Sequence, residues 1–103
     1  MPTDPITSIV KQALAQGFRR DDLLLILADP SSEAGARLRE QGMQEVSGVI
    51  IAVIPTRNFG TAFPDAPNKV RDALLDKPAK GALHALQIDE RGEWGLGSFS
   101  VAE

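Results

Sequence analysis

Cysteine is absent from this chain of 103 residues, and histidine occurs once, as His84. The lack of cysteine excludes disulfides, thiol catalysis and thiolate metal sites. A single histidine also excludes any metal site that needs two histidine ligands from one chain. We therefore expect no metal and no cofactor, and we assign no catalytic residue.

Long hydrophobic runs are missing as well. The two longest, Leu23–Ala28 and Val49–Ile54, are far shorter than the roughly 20 apolar residues of a membrane-spanning helix. The opening segment MPTDPITSIV has neither the basic part nor the hydrophobic part of a secretory signal. We expect no membrane association and a cytoplasmic protein.

Positive charge and aromatic residues are scarce. The net charge is −3, and the chain has one tryptophan and no tyrosine. Nucleic-acid binding usually needs a basic face and aromatic stacking platforms, so both features disfavour it. One mildly basic segment remains, formed by Lys69, Arg71, Lys77 and Lys80. It supports nucleic-acid binding only as a third hypothesis.

Helix-start and helix-end signals recur in the first half of the chain. An Asp-Pro pair precedes each of two helical stretches, and a glycine followed by an apolar residue ends each one; the pairs are Asp4-Pro5, Gly17-Phe18, Asp29-Pro30 and Gly42-Met43. Such residues are ordinary helix caps. Recurrent capping explains the repeat better than internal duplication, which stays open, because the helix interiors barely match.

Apolar spacing predicts one domain, residues 1–103, with the element order α-β-α-β-α-β-β. The predicted helices are Pro5–Gln16, Ser32–Gln41 and Pro67–Lys77; the predicted strands are Leu23–Ala28, Val49–Ile54, Ala82–Ile88 and Trp94–Val101. The fold class is α/β, with α+β as the alternative. We expect a four-stranded mixed sheet with a parallel first strand pair and a C-terminal antiparallel hairpin.

The first strand has a helical alternative, whereas the last turn has a clear sequence signal. Leu23–Ala28 is continuously apolar, which is typical of a strand buried on both faces, although a helix is the alternative. The tripeptide Glu90-Arg91-Gly92 is typical of a type I turn closed by a left-handed glycine. It should join the last two strands.

Two loops follow the predicted parallel strands, the segments 29–32 and 55–67. Ligands collect at the carboxyl ends of parallel strands, so we expect Asp29, Ser31, Arg57 and Thr61 to converge on one cavity. Arginine and a helix start suit a phosphate or carboxylate. The full predicted ligand-binding set is Asp29, Ser31, Thr56, Arg57, Asn58, Thr61, Lys69 and Arg71. In the alternative, Arg57 pairs with Asp29 or Asp65 and the polar residues satisfy the turns.

Three aromatic residues are the predicted interface residues. Phe59 and Phe63 either seal the end of the sheet or form an apolar patch for a partner. Trp94 lies on the last strand with Gly95 and Gly97. If that strand is an edge, it could pair with a second copy of the chain; the alternative is a bulge.

The leading hypothesis is a non-catalytic binding or regulatory module. It would recognise a partner protein or a small anionic ligand at the strand-end loops, and it would self-associate. The alternative is a small enzyme acting on a phosphorylated or carboxylated metabolite, with Arg57 and a loop hydroxyl binding the anion and Asp29 as base. We expect His84, on the same strand face as Leu86 and Ile88, to be a packing residue.

Overall fold

A mixed β-sheet forms the centre of the chain in a computed structural model, which describes residues 5–78 and 81–100. Its strands are, in chain order, Leu23–Ala28 (β1), Gln44–Val46 (β2), Val49–Pro55 (β3), Ala82–Ile88 (β4) and Trp94–Ser100 (β5). Over the described residues the sheet has five strands in the spatial order β2-β3-β1-β4-β5. The protein is therefore an α/β domain with a mixed sheet, as predicted, but it has one strand more.

Helices flank the sheet on both sides. They are Pro5–Ala15 (α1), Glu33–Glu40 (α2), Phe59–Ala62 (α3) and Asn68–Ala73 (α4), with 3-10 turns at Arg20–Asp22 and Thr56–Asn58. The first two predicted helices are confirmed, whereas the third is shorter than predicted. Its N-cap position is Pro67, which makes no side-chain cap hydrogen bond. None of the helices in the described ranges has the length and apolarity to cross a membrane.

Strand direction differs from the prediction at the first pair. β1 and β3 are neighbours as expected, but they are antiparallel, so that Leu23 faces Pro55 and Ala28 faces Ile50. The cause is the short strand β2, which the sequence analysis missed. β2 pairs with β3 through a two-residue turn at Ser47 and Gly48, both with positive φ (54° and 82°), and this turn reverses the chain.

The crossover that a parallel first strand pair requires runs through α2, but it connects β1 to β2 and not to β3. β1 and β2 run in the same direction because each is antiparallel to β3, and α2 lies between them in the chain. The directly hydrogen-bonded parallel pair is β1 with β4, where Leu24 faces His84. The predicted C-terminal hairpin of β4 and β5 is confirmed, and Gly92 has the expected positive φ of 79°. Asp4, Lys80 and Val101 lie outside the described residues.

Alternate residues of β1 face two separate core clusters. Leu24 and Ile26 pack on the side of α2, α3 and α4, whereas Leu23 and Leu25 pack on the side of α1. These four side chains are at most 1% exposed. The prediction of a strand buried on both faces is confirmed, and its helical alternative is wrong.

Candidate functional site

The two predicted site loops lie at opposite ends of the neighbouring strands β1 and β3. Asp29 follows the end of β1, and Thr56 follows the end of β3, which runs the other way. The length of β1, roughly 17 Å at 3.3 Å per residue, separates them. The prediction that Asp29 and Ser31 converge with Arg57 and Thr61 is therefore wrong, because it depended on parallel strands.

Asp29 and Ser31 form a local turn before α2. The Asp29 carboxylate accepts hydrogen bonds from the backbone N–H of Ser31 (2.8 Å) and from its hydroxyl (2.5 Å). These bonds, the side-chain one above all, lower the pKa of Asp29 below its ordinary value. Ser32 caps α2, since its Oγ accepts from the N–H of Gly35 (3.0 Å). This loop serves the start of the helix.

A cavity of about 300 Å³ lies at the other end of these strands, between the end of β3 and α4. We call it the β3–α4 cavity. Its lining residues are Thr56, Arg57, Phe59, Gly60, Arg71, Leu74 and Leu75. Three predicted ligand-binding residues, Thr56, Arg57 and Arg71, are thus brought together. The other three of the same region, Asn58, Thr61 and Lys69, are exposed and do not line the cavity.

The chain after β3 places these three polar residues. Pro55 is the last residue of the strand, and the 3-10 turn that begins at Thr56 leads directly into α3. Arg71 comes from α4, and its Nη2 donates to the carbonyl oxygen of Pro64, which fixes the guanidinium. A turn and a helix therefore hold the cavity's polar side, with no long flexible loop between them.

The polar groups of the cavity are incompletely satisfied. The Thr56 hydroxyl and the Arg71 Nε are both shielded from solvent, and neither has a hydrogen-bond partner among the described residues. Arg57 is exposed, and over residues 5–78 and 81–100 no carboxylate lies within ion-pair distance of it. The alternative in which Arg57 pairs with Asp65 is wrong, since Asp65 pairs with Arg37 at 3.0 Å.

The aromatic residues form a buried cluster. Phe59 and Phe63 are 3% and 2% exposed, with ring centroids 5.5 Å apart. Trp94 meets both rings edge-on, at 6.2 and 5.6 Å. The packing alternative is confirmed, and the two phenylalanines do not form the apolar surface patch that we also considered. Phe59 instead gives the β3–α4 cavity a rigid wall.

His84 is buried and bonded within the protein. Its Nε2 lies 2.7 Å from the carbonyl oxygen of Asp76, so this nitrogen carries the proton and donates it. The packing role expected for His84 is confirmed. In the described part of the chain no three metal-ligating side chains come together.

A larger cavity, about 550 Å³, lies on the α1 side of the sheet at the carboxyl ends of β1 and β4. Its polar rim is acidic, with Asp29, Asp89 and Glu90. The Asp89 carboxylate already accepts hydrogen bonds within the protein, from the backbone N–H groups of Arg91 and Glu93 (2.9 Å each). This rim repels an anion, whereas the smaller β3–α4 cavity contains three residues of the predicted anion site.

Leu75 lines the cavity but was not predicted as a site residue. It is 82% exposed, although it is a leucine. Leu75 follows α4, which ends at Ala73, so the packing of that helix does not bury it.

Comparison with known proteins gives no match to a family model, a curated protein or a solved structure.

Proposed function

We propose that this domain is a non-catalytic binding module that recognises a small anionic ligand in the β3–α4 cavity. The observation that supports this most directly is that two residues lining the cavity, Thr56 and Arg71, each carry a shielded side-chain donor, the hydroxyl and the Nε–H, with no acceptor among the described residues. Arg57 adds a positive charge that no described carboxylate neutralises. An anion can satisfy all three groups, because it accepts hydrogen bonds from the two donors and offsets the charge of Arg57.

Hydrogen-bond energetics favour an occupied site. A buried donor without an acceptor costs about 1–3 kcal/mol. The oxygens of one carboxylate or phosphate could accept from both Thr56 and Arg71. Guanidinium groups bind such anions through short, charge-assisted hydrogen bonds, which are roughly twice as strong as neutral ones. An anion therefore complements this cavity better than a neutral or cationic ligand.

The large side chains in the rest of the cavity lining are apolar. They are Phe59, Leu74 and Leu75. Because Leu75 is so exposed, a ligand with a short hydrocarbon part would bury its surface, at a gain of about 25 cal/mol per Å². The cavity thus suits a small organic anion, a carboxylate or phosphate joined to a short apolar group, better than an inorganic ion.

The side chains at the cavity favour binding over catalysis. Arginine stays protonated in proteins and cannot act as a general base, and among the described residues no histidine or carboxylate lines the cavity to activate the Thr56 hydroxyl. The enzyme hypothesis named Asp29 as the base. Asp29 follows β1 at the opposite end of the strands from Arg57, so it cannot act on a ligand bound beside Arg57.

Calorimetric titration with hexanoate, inorganic phosphate and neutral hexanol tests the proposal. We expect hexanoate to bind most tightly and hexanol not at all. Arg57→Gln removes the positive charge and Thr56→Val removes the hydroxyl donor; each should weaken hexanoate binding about tenfold or more, given 1.5–3 kcal/mol for a hydrogen bond to a charged group. Binding should also weaken with added salt.

Arg91→Gln is the matched control, because Arg91 is an exposed arginine at the β4–β5 hairpin turn, away from the cavity. It should bind hexanoate like the wild type. Two results would refute the proposal: no binding of either anion at about 10 mM, or equal weakening by Arg57→Gln and Arg91→Gln. Circular dichroism should show that all variants are folded.

A further inference from the structure

Within the described residues, no strand pairs with the outer side of β5. β5 is the outermost strand on its side, has seven residues (WGLGSFS), and contains neither a charged residue nor a proline. Its register with β4 is continuous from Trp94 to Ser100, so no bulge interrupts it. Natural edge strands are usually shortened, charged, bulged or covered. The opposite edge follows this rule, because β2 has three residues, one of them Glu45.

Hydrogen-bond alternation identifies the free groups of this edge. The N–H of Asp89 donates to the carbonyl of Glu93 and closes the hairpin, so residue 93 faces β4. In an antiparallel pair, facing residues alternate between bonded and non-bonded positions. Gly95, Gly97 and Phe99 therefore bond to β4. The backbone groups of Trp94, Leu96, Ser98 and Ser100 point away from the sheet.

These four outward positions lie symmetrically about Gly97. We propose that a second copy of this chain binds here, with the two β5 strands antiparallel and a twofold axis passing through Gly97. In this register Trp94 faces Ser100 of the second copy, and Leu96 faces its Ser98. About eight main-chain hydrogen bonds would form, two for each bonded pair, and the two sheets would become one.

The side chains of β5 fit this register. On the α1 side of the sheet, Phe99 of each copy would face Gly95 of the other, so that an aromatic ring covers an exposed glycine. At the axis, Gly97 would face its own copy at a non-bonded position, where the two backbones are closest. The segment is uncharged, so no like charges oppose its self-pairing. An axis at Gly97 is also the one that pairs all seven residues of the strand.

Lysine substitution at the axis tests the register. A Cβ added at Gly97 has no atom within 4 Å, and its φ is not positive, so Gly97→Lys should leave the monomer folded. In the dimer it would place two like charges opposite each other. We expect sedimentation equilibrium to show a concentration-dependent dimer for the wild type, and a roughly fivefold weaker one for Gly97→Lys and for Gly97→Glu. A mixture of the two variants should dimerise like the wild type, because opposite charges then meet.

Amide hydrogen exchange reports directly which backbone N–H groups of β5 are hydrogen-bonded. At high protein concentration the N–H groups of Trp94, Leu96 and Ser98 should become protected, whereas those of Gly95 and Gly97 should be protected at all concentrations. Ser98→Pro removes an outward N–H, which an edge strand tolerates, and should weaken the dimer about tenfold or more.

The proposal is wrong if the wild type has the mass of one chain up to millimolar concentration. It is also wrong if the dimer persists unchanged in Ser98→Pro, or if the mixture of Gly97→Lys and Gly97→Glu does not restore it. A monomer that instead binds an extended foreign peptide at β5 would equally overturn it. None of these measurements depends on the β3–α4 cavity.

Discussion

Replacing Gly35 by alanine should destabilise the domain, although alanine is the better helix former. Gly35 lies in the first turn of α2, directly against the carbonyl group of Asp29. A Cβ at this position would lie 2.1 Å from the Asp29 oxygen and 2.9 Å from its carbon. Both atoms belong to the backbone, so the clash cannot be relieved by rotating a side chain.

The size of the effect follows from three contributions. Overpacking of a tight site typically costs about 1–3 kcal/mol. Moving the Asp29 carbonyl would also strain the bonds it accepts from the Ser32 N–H (3.0 Å) and hydroxyl (2.6 Å), at about 1 kcal/mol each. The helix propensity of alanine returns up to about 1 kcal/mol. We expect a net loss of about 2–4 kcal/mol in the free energy of unfolding.

Urea unfolding followed by circular dichroism measures this loss. Gly60→Ala is the matched control: Gly60 is also helical, in α3, but a Cβ there meets nothing within 4 Å. The control should be neutral or more stable by up to about 1 kcal/mol. The reasoning fails if Gly35→Ala is as stable as Gly60→Ala, since the close approach to Asp29 would then carry no energetic weight.

Two further variants probe other parts of the fold. The hydrogen bond from Lys77 lowers the pKa of Asp21 below its ordinary 3.8, so the stabilisation by this carboxylate is present above pH 3.8 and is lost as pH falls through the lowered value. Asp21→Asn should therefore be less stable than the wild type at pH 7, and this difference should shrink below pH 3.8; a difference that is constant with pH would contradict it. Phe63→Ala removes a ring 5.6 Å from Trp94 and should cost about 3–5 kcal/mol while shifting the tryptophan emission to longer wavelength; unchanged emission would contradict the packing of this cluster.

Local signals in the sequence predicted local structure well. The continuous apolar run Leu23–Ala28 is a strand buried on both faces, because only a central strand can cover six apolar side chains in succession. Gly92 closes its turn, because a left-handed residue is needed there. Strand direction was not predictable in the same way. It depends on β2, whose residues Gln-Glu-Val are too short and polar to stand out, and on the Ser47-Gly48 turn that follows it.

That one reversal decided how much of the candidate site could be predicted. Thr56 and Arg57 follow β3 directly, and Arg71 lies in α4. Their proximity therefore does not depend on the direction of β1. Asp29 belonged to the predicted site only if β1 and β3 were parallel. The burial of Phe59 was one of the two alternatives that the sequence analysis gave, whereas α3 was missed, because the segment 55–67 shows no helical spacing.

β1 is synthesised before both strands with which it pairs. One of its sides needs β3, and the other needs β4, where Leu24 pairs with the distant His84. Contacts between segments so distant in sequence form slowly. A nascent chain that has not yet released β4 therefore carries the sequence LLLILA with one side unpaired, and premature termination before residue 82 would leave a species prone to aggregation.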